Sequence, residues 1–245
     1  LASALADAKS LQSELIQSEK LAGIGTLAAG IAHEVSSPLF GILGLAEAIP
    51  DESDRTRIDE YASEIAKYSN SIRDIVVDLS SYSRTTADQD FARVDLGSVI
   101  SEAVKMVEIG LDLTGIRLEI EIADSLGMPA QTTEIRQIFV NLIKNAVESV
   151  KDEHPNGGGA IRVAAGRELG HLWAVVSDNG VGIPEDVRKQ VFDPFYTTKP
   201  PGKGTGLGLN VVYRITTKHR GTVSVESVDD GGSLFRLRFP VEPST

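Results

Sequence analysis

Between Ile58 and Leu79 apolar residues return every seven positions, at Ile58, Ile65, Ile72 and Leu79, with Ala62, Ser69 and Val76 between them. A repeat of that period fits a helix packed along one face against another helix, and fits little else. The upstream stretch carries a similar pattern. Leu1, Ala8, Leu15 and Ala22 share one register, and Ala4, Leu11, Ser18 and Gly25 the other, with Ser18 and Gly25 as weak core positions. Its apolar stripe continues through Ile24, Leu27, Ile31, Val35, Ile42, Leu45 and Ile49 before Pro50-Asp51-Glu52-Ser53, which reads as a turn. Two long helices joined by a short loop form an antiparallel hairpin. Alone, that hairpin leaves its stripe uncovered; a second copy would cover it, so the pattern predicts a homodimeric four-helix bundle.

The texture changes after a polar linker at residues 84–90. Periodicity then predicts helices over Leu96 to Val107 and Thr133 to Lys151. Strands are predicted over Arg117 to Ile122, Ile161 to Ala165, Leu172 to Ser177, Thr222 to Glu226 and Leu234 to Phe239. Glycine-rich segments at 157–159, 180–182, 202–208 and 231–232 punctuate them. This half reads as an α/β sandwich of ~150 residues, an ordinary domain size. The expected division is a coiled-coil signalling helix at 1–22 that runs into the bundle, a helical domain at 23–86 and an α/β domain at 87–245.

Composition removes several alternatives. Lys and Arg number 24 against 35 Asp and Glu, a net charge of -11. Nucleic acid needs a basic surface that displaces counterions, so it is not an expected partner. There is no Cys, which excludes disulfides, thiolate nucleophiles and Cys-ligated zinc. No run reaches the roughly 18 apolar residues of a membrane span and no signal peptide opens the chain, so the fragment is expected to be cytoplasmic. Leu1 in place of Met suggests a piece of a longer protein, with membrane attachment only through a missing upstream region.

The first helix carries Gly23, Gly25, Gly30, Gly41, Gly44 and Pro38. An interior Gly costs up to about 1 kcal/mol against Ala, and Pro removes an amide and clashes one turn back. Such a composition suits a helix that bends near His33. At ~100° per residue His33 lies about 200° from Ile31, which places it opposite the apolar stripe. Glu34 sits beside it and Ser37 one turn on. Helical position alone is satisfied by a polar surface histidine. A zinc-protease helix would need His at position 37.

No G-x-x-x-x-G-K-[ST] is present, and no strand leads into G-x-G-x-x-G. Four other segments read as parts of one pocket. Asn141 and Asn145 lie four apart on one helix face with Lys144 beside them, a donor set that could hold a hydrated cation and phosphates. Asp178, followed by Gly180 and Gly182, places a carboxylate at a strand end with room for a flat base. Phe192 to Lys199 is an aromatic loop that includes Phe195, Thr198 and Lys199. Gly204, Thr205, Gly206, Leu207 and Gly208 then lead into a helix, where free amides and the helix dipole favour an anion. Each segment alone is equally a polar face or a turn; their order and spacing together are what single them out.

Those segments resemble the sensor histidine kinases of two-component signalling. Ala32-His33-Glu34-Val35-Ser36-Ser37-Pro38 is similar to the phosphoacceptor box, and Asn141 to Ala146 to the N box. Asp178 to Gly182 resembles the G1 box, Phe192 to Phe195 the F box, and Gly204 to Gly208 the G2 box. The resemblance implies a dimerisation bundle followed by a Bergerat-type ATP-binding domain that uses ATP and Mg²⁺. It implies His33 as phosphoacceptor, Glu34 as the acceptor of its other ring proton, and the receiver domain of a response regulator as partner. Asn141 and Asn145 would bind Mg²⁺ and phosphate, Asp178 the adenine amino group, and the Gly204 to Gly208 loop would close over the phosphates. The family usually has Asn or Thr where this chain has Ser37, which leaves phosphatase activity toward the regulator open. ATPases such as DNA gyrase share the ATP fold but place Glu where Asn141 stands, and Asn takes no proton from water. That reading, and a nucleotide-binding scaffold without catalysis, are the alternatives.

Overall fold

A computed structural model describes Ala32 and residues 35–83, 91–199, 204–228 and 231–241. The chain forms two compact units, Leu1–Ser83 with Thr198–Thr205, and Arg84–Thr197 with Gly206–Thr245. Among the described residues no helix is long and apolar enough to cross a membrane.

In the first unit, helix α1 is described over 35–48 and α2 spans Arg55–Ser83. Between them a 3-10 turn at Ile49–Asp51 carries Pro50 early, where its missing amide costs nothing. Glu52 accepts from the amides of Ser53 and Asp54, and Asp54 accepts from Thr56 at the start of α2. The expected loop is thus a run of side-chain caps.

Helix α1 continues through Pro38, Gly41 and Gly44 without interruption. Gly41 has a packing reason: a Cβ there would meet the Tyr68 ring of α2 at 2.7 Å. Nothing in the structure explains Gly44, which faces open space. Leu39, Phe40 (72% exposed) and Leu43 on α1 and Val76 on α2 leave apolar surface uncovered on the single chain. His33 and Glu34 lie outside the described residues.

The second unit opens with strand β1 (Ala92–Asp95) and helix α3 (Leu96–Gly110). Asp95 caps α3 by accepting from Ser98 N at 2.8 Å, while its other oxygen accepts from Leu126 N at 3.1 Å. Strands β2 (Ile116–Ile122) and β3 (Gly127–Ala130) lead to helix α4 (Thr132–Glu153), strands β4 (Gly159–Glu168) and β5 (His171–Asp178), helix α5 (Gly208–Lys218), and strands β6 (Thr222–Ser227) and β7 (Ser233–Pro240). The main sheet runs β2-β4-β5-β7-β6, with β2 parallel to β4 and the other pairs antiparallel. β1 and β3 form a separate two-stranded sheet.

One sheet face carries the core. Ile161, Val163 and Ala165 of β4, Leu172, Ala174 and Val176 of β5, and Phe235, Leu237 and Phe239 of β7 alternate inward. Against them pack Ile100 and Val104 of α3, Ile135, Ile138, Phe139, Leu142 and Val150 of α4, and Val212 and Ile215 of α5. Each such side chain contributes about 1.5–3 kcal/mol when fully buried. The result is an α/β sandwich of one helical layer on one sheet. The face of α4 that does not bury is free to carry polar chemistry.

At the far end of the helical layer His219, 4% exposed, ties α4 to α5. Its Nε2 accepts from Gln131 N at 3.1 Å, at the start of α4, and its Nδ1 donates to Ile215 O at 2.8 Å. Glu134 and Lys218 flank the ring and Phe91 packs on it at 4.9 Å between centroids. Burial pushes the imidazole below its ordinary value of 6.5, against a raising effect from the Ile215 bond and Glu134. The neutral ring is the folded form, and below about pH 6.5 the unfolded chain takes up the proton first. This contribution to stability is therefore complete above that pH and falls as the pH drops toward the folded value. Urea midpoints measured from pH 8 to pH 5 are expected to fall in the wild type and to lose this component in His219→Gln.

Candidate functional site

Asp178 ends β5 with 6% of its surface exposed. A buried carboxylate needs donors, and it has three. Gly180 N donates to Oδ1 at 2.9 Å, Ser233 Oγ to Oδ2 at 2.6 Å, and Ser149 Oγ to Oδ1 at 3.4 Å. A carboxylate has about four lone-pair sites, so one remains for a ligand. The chain beyond it is held by Asn179, whose Oδ1 accepts from Ala160 N at 2.7 Å and whose Nδ2 donates to Gly158 O at 3.1 Å. His154 Nε2 lies 2.8 Å from Asn179 O.

The glycines around Asp178 leave room for backbone. A Cβ at Gly180 would fall 2.2 Å from Ser149 Oγ, and one at Gly182 would fall 2.9 Å from Gly232 O. Gly232 itself has φ +88 and a Cβ there would meet Asp178 O at 2.0 Å, so only glycine fits. The turn before β7 thereby presses onto the end of β5.

Two turns along α4 from Ser149 is Asn141, with Asn145 between; all three are half-buried and share one face. Asn141 Nδ2 donates to Gly208 O at 3.2 Å. That bond fixes the amide's orientation and leaves Oδ1 as an acceptor. The side chain of Asn145 makes no hydrogen bond among the described residues. Lys144 is half-buried on the same helix. From Asn141 to Ser149 the helix rises about 12 Å, a span suited to a nucleotide from its phosphates to its base.

Gly208 begins α5, whose N-cap Leu207 is buried and offers no side-chain cap. The first helical bond is Val211 N to Leu207 O, and the amides of Gly208, Leu209 and Asn210 donate to nothing among the described residues. Those amides and the dipole favour an anion there. Gly206, at φ +62, sits so close to Phe195 that a Cβ would be 2.4 Å from its carbonyl carbon. Phe195 N donates to Gly206 O at 3.0 Å.

The second unit therefore gathers Asn141, Lys144 and Asn145 on α4, Asp178, Gly180 and Gly182 after β5, Phe195, and Gly206, Leu207 and Gly208 at α5. Thr198, Lys199, Gly204 and Thr205 fall in the first unit, as does Ser37, exposed on α1. Sequence reasoning missed Ser149, Ser233, Gly232 and Asn210. Ser149 continues the four-residue stride of Asn141 and Asn145, a signal that was present. Ser233 reaches Asp178 through strand register, with Ser177 opposite Leu234, and no local pattern announces it.

The second unit is thus a sandwich with a buried acid at one end of its polar helix face and free amides at the other, and the first unit is a helical hairpin. Residues 130–243 match the family described as histidine kinase-, DNA gyrase B- and HSP90-like ATPase, and residues 24–88 match the His kinase A (phospho-acceptor) domain. The chain belongs to the sensor histidine kinases of two-component signalling. Sporulation kinase A of Bacillus subtilis is 33% identical over 96% of this chain and 38% of its own length. The signal transduction histidine-protein kinase AtoS of Escherichia coli is 31% identical over the same shares. The chain thus spans about two fifths of the length of these curated relatives. Among solved structures, the catalytic domain of histidine kinase ThkA is 28% identical, covers 63% of this chain and all of its own, and superposes with a TM-score of 0.55. ThkA in complex with response regulator protein TrrA shares the fold over 96% of this chain and 66% of its own, with a TM-score of 0.79 at 23% identity.

Proposed function

We propose that the chain is the kinase core of a two-component sensor, which moves the γ-phosphoryl group of ATP to a ring nitrogen of His33 and then to an aspartate of a response regulator. The observation that carries this reading is the bond from Asn141 to Gly208, which sets the asparagine face of α4 against the uncapped start of α5. Asp178, on the same helix face through Ser149, supports adenine recognition because its remaining lone pair suits an exocyclic amino group.

Asn141 Oδ1 and Asn145 are oxygen donors of the kind Mg²⁺ prefers, and the ion would neutralise phosphate charge there. The amides of Gly208, Leu209 and Asn210 hold phosphate oxygens. Only neutral imidazole has a lone pair for attack, and a reference pKa of about 6.5 keeps that form available near pH 7. A bond forms between the His33 nitrogen and the γ-phosphorus as the bond to the β–γ bridging oxygen breaks and ADP departs. Glu34 takes the proton of the other ring nitrogen. A regulator carboxylate then attacks the same phosphorus and the nitrogen–phosphorus bond breaks. Positioning and charge stabilisation supply the rate.

A homodimer covers Leu39, Phe40, Leu43 and Val76, and sedimentation at micromolar concentration is expected to give the mass of two chains. Incubation with γ-labelled ATP and Mg²⁺ is expected to put a base-stable, acid-labile label on the wild type, absent in His33→Gln. Free phosphate with no labelled protein would instead favour the ATPase reading.

A further inference from the structure

Asn210 is out of place by stability alone. It lies 6% exposed on α5 among Leu209, Val211 and Val212, and its Oδ1 is buried with no hydrogen-bond partner among the described residues. A buried polar atom left unpaired is costly, and a leucine would fill the volume without it. Its other group has one use: Nδ2 donates to Phe192 O at 2.8 Å. Oxygen facing that carbonyl would be repelled, so the amide has only this orientation.

Tyr213, three residues on along the same helix face, packs its ring 6.0 Å from that of Phe192. One face of α5 thus grips one residue of the aromatic loop with a polar and an aromatic contact. Three residues past Phe192, Phe195 donates to Gly206 O at 3.0 Å and holds φ 64, a left-handed conformation that a bulky side chain adopts only under constraint. Gly206 leads back through Leu207 to the start of α5. The backbone between Phe192 and Phe195 and that between Gly206 and Asn210 are therefore closed into a ring by two ties, and Asn210 supplies one of them. The ring fixes the direction in which the amides of Gly208 and Leu209 face, next to Asn141.

We propose that Asn210 is a positioning residue for the nucleotide: its amide fastens the aromatic loop to α5 and so aims the anion-binding end of that helix. This rests on the ATP-binding reading above. Its side chain touches no substrate and acts through Phe192 and the first turn of α5. Without its donor, Phe195 can leave its strained conformation and the start of α5 can turn away from Asn141.

The test uses the full chain with Asn210→Leu, which keeps the volume and removes both polar atoms, and Asn210→Asp, which keeps the shape and removes the donor. Both variants are expected to bind ADP on the order of tenfold more weakly by calorimetry, the effect of one hydrogen bond to a carbonyl. The KM for ATP in autophosphorylation should rise by a similar factor while kcat stays within roughly twofold, as for lost positioning of a bound substrate. Hydrogen exchange should quicken in peptides covering 190–197 and not in those covering α4. Unchanged ADP affinity and unchanged exchange at 190–197 in both variants would overturn the proposal, even if their unfolding temperatures fall. A wild-type protein that binds no ADP would contradict the nucleotide reading instead, and the exchange data would then decide the role of Asn210 by themselves.

Discussion

The carboxylate of Asp178 is the point on which the second unit's polar architecture depends. A charge buried at the end of a strand is tolerated only when its oxygens are bonded, and here the donors come from three separate segments. Gly180 follows it in the chain, Ser149 comes from α4, and Ser233 from the start of β7. Each donor imposes its own requirement. Ser149 can approach only because Gly180 has no side chain, and Ser233 only because Gly232 lets the preceding turn press against the strand end. The glycines and serines near Asp178 are thus consequences of one buried charge, and their cost in chain entropy is offset by the bonds they permit.

Helix α4 connects that charge to the rest of the site. Ile135, Ile138, Phe139, Leu142, Val147 and Val150 bury against sheet and neighbouring helices, which fixes the helix's rotation. With the rotation fixed, Asn141, Asn145 and Ser149 must share the other face. Two stripes are separated around one helix: the apolar stripe holds it, and the polar stripe runs about 12 Å, a length that suits a nucleotide. Asn141 then links the stripe to the start of α5, where uncapped amides provide positive potential without a basic side chain. This matters in a chain of net charge -11, which offers an anion little general attraction.

Much of this was legible in advance because it depends on periodicity. The 3.6-residue stripe of α4 and the alternation of β7 are each forced by burial of one face, the heptads of α2 mark a face that the single chain leaves largely uncovered, and the elements appear within a few residues of where the pattern puts them. The pair β1 and β3 was not legible. Each has four residues, β3 contains Pro129, and their pairing is set by contact across a stretch of chain that no local pattern reports. Gly41 reads as a helix breaker in sequence but answers to Tyr68 of the facing helix. Ser233 and Asn210 act through register and burial. The residues proposed to contact the nucleotide follow motif spacing, whereas residues that hold them in place depend on packing, which spacing does not encode.

The central claim is that the Asp178 end of α4 receives an adenine and recognises its amino group. Calorimetric titration with ADP and with inosine diphosphate tests it most directly, since the two differ by an amino donor exchanged for a carbonyl acceptor. A buried acceptor left facing a carbonyl discriminates strongly, so inosine diphosphate is expected to bind about a hundredfold more weakly or not at all. Equal affinity for the two would contradict the account, because the buried carboxylate would then have no part in reading the base.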